Sequence, residues 1–280
     1  MTYKEMEWAC ADGNKMFACV WSPEHTRSAK AIVGIVHGMG EHMGRYQHVA
    51  EMLVNEGYTV IGFDQRGHGR TVGKRGHVAK FEELLEGVDN LIAEANRSYP
   101  NLPIFLYGHS MGGNVTINYL LRKKPQLKGA IVTGPWLKLA FAPPPIQVIA
   151  GKIIQYIYPK YTNHRPLHAA SLTSDPVMVE RYLNDPLGHG HITARFFFGV
   201  QRAGLWALNH ANQLQVPMLL MHATEDRVTS SATSKIFAER AGKLVTWIGW
   251  PGFQHELHNE LERERVFETI KSWLKEQLEQ

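Results

Sequence analysis

The stretch Ile104-Phe105-Leu106-Tyr107-Gly108-His109-Ser110-Met111-Gly112-Gly113 decides the architecture. Residues 104–107 read as a short buried strand, and 111–124 carry the apolar spacing of a helix. Between them, Gly108-His109-Ser110-Met111-Gly112 fits G-x-S-x-G in the strand–turn–helix setting that the motif requires. A turn this tight strains the backbone, so glycines flank the serine and let neighbouring backbone pass close to it. The hydroxyl is lifted above a sheet edge near a helix N-terminus, where developing negative charge is favoured. Ser110 is therefore the candidate nucleophile; the bland alternative is a glycine-rich turn.

Strands and helices alternate on both sides of this turn. Residues 3–10 and 15–21 read as strands around Asp12-Gly13-Asn14, and 31–36 is a β-branched run ending in His37-Gly38. Helical periodicity spans 46–56 and stops at Gly57, 58–63 is a strand, and 81–98 is an amphipathic helix ended by Tyr99-Pro100. Residues 128–133 form the next strand. The rhythm breaks over 134–209, which holds Pro143-Pro144-Pro145, several short helical patterns and no convincing strand. It resumes with a strand at 216–221, a helix at 231–241, a strand at 244–248 and a final amphipathic helix at 261–278. Such alternation implies βαβ units and a mostly parallel sheet flanked by helices. The expected organisation is one α/β core built from 1–133 and 210–280, with a helical cap of 134–209 inserted in it.

Composition narrows the classes. With 280 residues, 44% hydrophobic and 20% charged, the chain reads as globular rather than disordered or fibrous. The net charge is 30 − 26 = +4. Nucleic-acid binding calls for clustered cations, and Arg122-Lys123-Lys124 and Arg263 with Arg265 read instead as solvated helix faces. No nucleic-acid partner is expected. Cys10 and Cys19 flank the first turn without facing each other, which favours free thiols in a reducing compartment. The first residues lack the layout of a secretory signal. The uncharged stretch 98–121 contains Pro, Gly, Asn and His and reads as strand–turn–helix, not a membrane span. A cytoplasmic location is expected.

A serine nucleophile needs a base and a group that orients the base. In folds of this kind the chain order is serine, acid, histidine. Asp226 follows the strand 216–221 and His255 follows the strand 244–248, so both loops open at the carboxyl edge of a parallel sheet. Rival acids are Glu225, Asp185 and Asp175, and the rival base is His258. The oxyanion needs fixed donors. The Met111 amide is one, and the loop His37-Gly38-Met39-Gly40 supplies the other from Met39.

Several segments together carry a resemblance. His37-Gly38-Met39-Gly40-Glu41-His42 with Arg45-Tyr46 is one, and Asp64-Gln65-Arg66-Gly67-His68-Gly69 is a second. The elbow with Gly113, Asp185-Pro186-Leu187, Asp226-Arg227 and His255-Glu256-Leu257-His258-Asn259-Glu260 complete the set. The chain resembles the monoacylglycerol lipase and lysophospholipase branch of the α/β-hydrolases along nearly its whole length. The resemblance implies Ser110 as nucleophile, Asp226 as acid, His255 as base, and Met39 and Met111 as oxyanion donors. It also implies that Glu41 and Arg45 support the oxyanion loop and the polar end of the site, with Tyr182 and His258 nearby as substrate contacts. Asp64–Gly69 is then a structural turn. One departure is Thr229-Ser230 after Asp226-Arg227-Val228, where mammalian monoglyceride lipases carry a nearby cysteine.

The fifteen histidines raise the question of a metal. No H-E-x-x-H or paired-cysteine spacing is present, and His189-Gly190-His191 reads as surface histidine, so neither metal nor cofactor is expected. The expected function is a serine hydrolase that cleaves carboxylic esters of monoacyl lipids, monoacylglycerol first. The alternatives are a lysophospholipase, a general carboxylesterase and a non-catalytic scaffold. Apolar stretches at 139–142 and 146–157 in the cap are expected to pack on the core, line an acyl tunnel or touch a membrane surface.

Overall fold

The structure, a computed structural model, describes residues 1–24 and 29–280. The chain begins with β1 (Thr2–Ala9), β2 (Lys15–Ser22), β3 (Ile32–Val36), α1 (Gln47–Asn55), β4 (Thr59–Phe63) and α2 (Glu82–Ser98). Then come β5 (Ile104–His109), α3 (Met111–Lys123), β6 (Gly129–Thr133), α4 (Pro145–Ile157), β7 (Thr162–His164) and α5 (Pro176–Leu183). The rest is β8 (His191–Thr193), α6 (Ala194–Asn209), β9 (Met218–Ala223), α7 (Ser231–Ala241), β10 (Val245–Trp250) and α8 (Arg263–Glu279).

Eight strands form one sheet in the order β1-β2-β4-β3-β5-β6-β9-β10. The β1–β2 and β2–β4 pairs are antiparallel, and every other neighbouring pair is parallel. The α/β-hydrolase architecture expected from the sequence is thus present. Side chains alternate between faces along a strand, and here helices cover both faces. Ile32, Val36 and Leu106 pack with Leu91, Val115, Val200 and Phe237 on one side. Val33, Ile35, Phe105 and Tyr107 pack with Val49, Leu53, Ile270 and Leu274 on the other. Burial on both faces is why these strands read as unbroken apolar runs.

At the first hairpin, Cys10 N–H donates to the Asn14 carbonyl (2.8 Å). Cys19 lies opposite Glu5, so the two cysteines stay apart as buried free thiols. β9 starts two residues later than expected, because Pro217 has no amide for the ladder.

The segment 134–209 corrects one expectation: it does contain strands. β7 and β8 form a two-stranded antiparallel ribbon, with Asn163 opposite Ile192 and His164 opposite His191. Each has three residues, too few for a period-two pattern to show, and the pairing joins chain segments nearly thirty residues apart. The segment is also tied down. The Asn114 side chain of α3 donates to the Val200 carbonyl of α6 (3.1 Å), and Asn118 donates to that of Ala203 (3.1 Å).

Candidate active site

The elbow sits where β5 turns into α3. Ser110 has φ 52° and ψ −115°, a left-handed backbone that a non-glycine residue adopts only when its surroundings hold it there. Its amide donates to the Thr133 carbonyl (2.9 Å), and its carbonyl accepts from Asn114 (3.0 Å) and Trp136 (2.9 Å). A Cβ on Gly112 would collide with the Val36 carbonyl oxygen, and one on Gly108 would collide with Thr116, so the flanking glycines are sterically required.

Three loops from the carboxyl edge of the sheet converge at this point. His255 Nε2 lies 2.9 Å from Ser110 Oγ, and its Nδ1–H donates to Asp226 Oδ2 at 2.6 Å. Ser110 is 6% exposed and His255 2%, so the contact is nearly closed to bulk water. Asp226 is fully engaged. Its Oδ1 accepts from the Val228 (2.7 Å) and Thr229 (3.0 Å) amides, and the Thr229 hydroxyl sits 2.9 Å from Oδ2. Burial alone would raise the Asp226 carboxyl, but the His255 charge and the bonds from His222 and His255 outweigh it and hold the pKa well below the usual range. Burial alone would lower His255, but the charge and hydrogen bond of Asp226, with Glu256 and Glu41 adding, raise its pKa above the ordinary imidazole value.

Of the rival acids and the rival base, one is exposed and the others have partners of their own. Glu225 is exposed. Asp175 caps α5 through the Val177 amide (2.9 Å) and pairs with Arg263 (2.9 Å). Asp185 accepts from His42 Nε2 (2.8 Å) and from the Leu187 amide (2.9 Å). His258 is sealed from solvent and stacks on Tyr46 at 4.9 Å, and burial pushes its pKa down to about 3.

The loop after β3 is braced from several sides. The Gln65 amide donates to His37 Nε2 (2.9 Å), so that nitrogen is unprotonated and Nδ1–H donates to the Gly38 carbonyl (2.8 Å). Burial holds the His37 pKa at about 3, which keeps this neutral form. The Gly38 amide donates to Glu41 Oε2 (2.8 Å), as does the Tyr46 hydroxyl (2.7 Å). Among the described residues, neither the Met39 nor the Met111 amide donates to a protein acceptor. Asp64–Gly69 is the turn that supports this loop. Asp64 accepts from the Met43 and Arg70 amides (2.7 Å each), and Arg66 is bidentate on Asp12 (2.7 and 2.9 Å).

Below the loop lies a buried polar layer. Arg45 Nη2 donates to both oxygens of Glu256 (3.0 and 2.8 Å), and its Nε is 3.7 Å from Glu41. Burial and then the nearby Glu256 push the Glu41 carboxyl up, whereas Arg45 outweighs burial at Glu256 and holds it down. Oxygens of Glu41 and Glu256 and a ring nitrogen of His109 lie within 4.8 Å of one another. That set has the donor chemistry for a cation, but the Arg45 guanidinium already takes Glu256 in a bidentate grip.

A cavity of about 290 Å³ opens on Ser110. Met39, Trp136, Leu139, Val148, Phe197 and Phe198 give it a largely apolar wall. Of the four further residues expected near the substrate, Tyr182 lines this cavity, with its ring 5.2 Å from the Arg45 guanidinium. Glu41, Arg45 and His258 belong to the buried layer instead. The surface reading of His189 and His191 is corrected: both are half-buried, and His189 Nε2–H donates to the Gly67 carbonyl (2.9 Å). His189 also lines the cavity.

Sequence reasoning missed His222, a fully buried imidazole whose Nε2 lies 3.0 Å from Asp226 Oδ2. The signal was present, because it is the one polar residue in the run Met218-Leu219-Leu220-Met221-His222-Ala223, four before Asp226.

The sequence model of the family described as serine aminopeptidase, S33, matches residues 27–262. A monoacylglycerol lipase of Mycolicibacterium smegmatis is 31% identical over 275 residues, covering 98% of this chain and 97% of that protein. An abhydrolase domain-containing protein of Dictyostelium discoideum is 31% identical along 100% of this chain, which spans 30% of that protein's length. The crystal structure of Paleococcus ferrophilus monoacylglycerol lipase is 29% identical and has a TM-score of 0.83, covering 99% of this chain and 100% of that one. The family match takes in most of the chain, and the chain belongs to the serine aminopeptidase S33 family, as a monoacylglycerol lipase-like α/β-hydrolase.

Proposed function

We propose that the chain hydrolyses carboxylic esters of monoacyl lipids, monoacylglycerol foremost, through an acyl-enzyme on Ser110. The observation that carries this reading is a serine hydroxyl bonded to His255 and opening into an apolar cavity. Ser110 Oγ attacks the ester carbonyl as its proton passes to His255 Nε2. Asp226 holds the Nδ1–H tautomer and stabilises the imidazolium that forms. The Met39 and Met111 amides, which have no protein acceptor among the described residues, take the oxyanion. The C–O bond to glycerol breaks, and the leaving alkoxide takes the proton from His255. Water, deprotonated by the same imidazole, then attacks the acyl-enzyme and releases the fatty acid and Ser110. Nucleophile, base and oxyanion donors all come from the chain, so this chemistry assigns no step to a cofactor.

Residues 134–209 are read as a cap over the cavity, with α6 as its foot on α3. Leu139, Phe141, Leu167, Ile192 and Phe197 of this segment line the cavity, which supports that reading. At about 0.8 kcal/mol per buried methylene, a ten-carbon acyl chain gains roughly 8 kcal/mol before binding costs, enough for an apolar wall to select lipids. α4 turns Ile146, Ile149, Ile153 and Ile157 outward, which supports transient contact with a membrane surface. No helix among the described residues is long and apolar enough to cross a membrane. The two free thiols support a reducing, cytoplasmic compartment.

Lysophospholipid is the second reading, favoured by Arg165. It lines the cavity, and its Nη2 donates to neutral Gln147 (3.1 Å), leaving charge available for a headgroup phosphate. Labelling by a fluorophosphonate tests the mechanism. Wild type is expected to label, and Ser110→Ala is expected to lose labelling and about 10⁴-fold or more in kcat with an unchanged melting temperature. An inert wild type would sink the enzyme reading. A panel of monoacylglycerols, lysophosphatidylcholine and short p-nitrophenyl esters ranks the substrates, and preference for the short esters would overturn the lipid assignment.

A further inference from the structure

We infer that His222 is a positioning residue for the Ser110–His255–Asp226 chain, holding the Asp226 carboxylate in place and sharing its charge with His255. This rests on reading that chain as the catalytic machinery.

His222 is the penultimate residue of β9, and its neighbours on the strand are all apolar and buried. A polar ring in such a place is costly unless both nitrogens are bonded, and both are. Nδ1 lies 2.9 Å from the hydroxyl of Ser234, a buried residue of α7. Nε2 lies 3.0 Å from Asp226 Oδ2 and 3.2 Å from the Thr229 carbonyl. Carboxylates and carbonyls only accept, so the neutral ring carries its hydrogen on Nε2, and the Ser234 hydroxyl donates to Nδ1. One tautomer is thus selected from both sides.

The oxygen that receives His222 is the one that receives His255. A carboxylate oxygen bonded by a second N–H spreads its charge over two donors. With His222 in place, Asp226 pulls less strongly on the His255 proton than it would alone. Oδ1 is fixed by the Val228 and Thr229 amides. His222 acts on the other oxygen, so the carboxylate plane stays directed at His255. Other groups also face His255: Glu256 beside it, Glu41 from the loop after β3, His109 from β5 and His258 from the loop before α8. His222 bonds to none of these, so a substitution at 222 leaves their contacts in place. Nor does His222 line the cavity, so its effect belongs in kcat and in the pH profile rather than in KM.

The test compares His222→Leu, which removes the donor, with His222→Gln, which keeps an N–H donor, on the full chain. In His222→Leu the acid limb of kcat/KM is expected to move to higher pH by about half a unit or more, with kcat down roughly tenfold and KM little changed. His222→Gln is expected to return the limb toward wild type and recover part of the lost kcat. An unmoved limb in a folded His222→Leu protein, or a limb that Gln fails to bring back, would overturn the inference. Should the leucine variant not fold, Ser234→Ala frees the ring to change tautomer. It is then expected to shift the limb the same way by a smaller amount, and no shift would count against the role. Fluorophosphonate labelling of wild type in the same buffers separates the two levels. No wild-type labelling defeats the catalytic reading, whereas labelling with an unmoved limb defeats only the role of His222.

Discussion

α3 and α4 are both thirteen residues long, and they use their side chains in opposite ways. Every residue of α3 from Met111 to Leu121 is buried, including Asn114 and Asn118. In α4 only Gln155 is buried, while Ile146 (79%), Ile149 (60%), Ile153 (54%) and Ile157 (79%) are exposed. The polar helix is inside and the isoleucine-rich one is outside, so composition alone does not assign burial. α3 lies against the sheet behind the elbow, where Gly112 and Gly113 allow close approach and each asparagine is held by carbonyls. α4 lies over the cavity. Val148 and Gly151 face inward, and the isoleucines, at intervals of three and four residues, share the opposite side. That outward apolar stripe is the observation on which the proposed membrane contact rests.

The contrast can be broken in three ways, taken from the largest expected effect to the smallest. Asn114 donates to the Trp136 (2.7 Å) and Val200 (3.1 Å) carbonyls. Asn114→Leu leaves both buried acceptors short and is expected to cost about 2 kcal/mol or more in urea unfolding. A neutral result would mean that α3 does not depend on its polar anchors. On α4, the double change Ile149→Gln with Ile153→Gln is expected to alter stability by no more than about 0.5 kcal/mol. It should weaken binding to phospholipid vesicles by about a hundredfold or more, at roughly 1.5 kcal/mol for each isoleucine removed from the bilayer interface. A large loss of stability would show that this face is packed after all.

The third test uses pH. In the proposed mechanism His255 must be neutral to accept the Ser110 proton, and its pKa is raised. Hydrolysis is therefore expected to climb as pH rises through a value above about 6.5, the ordinary imidazole pKa. By the same sign, the stability that the charged His255–Asp226 pair contributes is present at lower pH and lost as pH rises through that value. α4 itself contains no histidine, cysteine, aspartate or glutamate. Vesicle binding measured over the same pH range should stay flat while kcat/KM changes, and a parallel change in both would tie the two helices to one titration.

The elbow was legible from the sequence because its determinants are local. A serine at positive φ, with small residues on both sides and a strand and helix at either end, is specified within ten positions. Asp226 and His255 were legible for a related reason, since each lies in the loop after a recognisable strand and strand ends gather at one edge of a parallel sheet. The β7–β8 ribbon was not, because three-residue strands leave no period. The fate of the histidines was also hidden. His37, His189, His222 and His258 end on very different partners beyond their adjacent residues in the chain, which sequence alone would not pick out. Those partners are Gln65, Gly67, the Ser234–Asp226 pair, and the Tyr46 and His109 rings.

Sequence alone thus determined the α/β alternation, the strained serine turn and the order of the three residues that meet there. Those features follow from side-chain periodicity and backbone sterics, which act over a few residues. Tertiary structure decided which imidazole shares Asp226, which carboxyl lies against Arg45, and which face of α4 meets solvent. Each depends on burial and on hydrogen bonds between chain segments far apart, and the free energy of a polar or apolar side chain is set only once its surroundings are assembled.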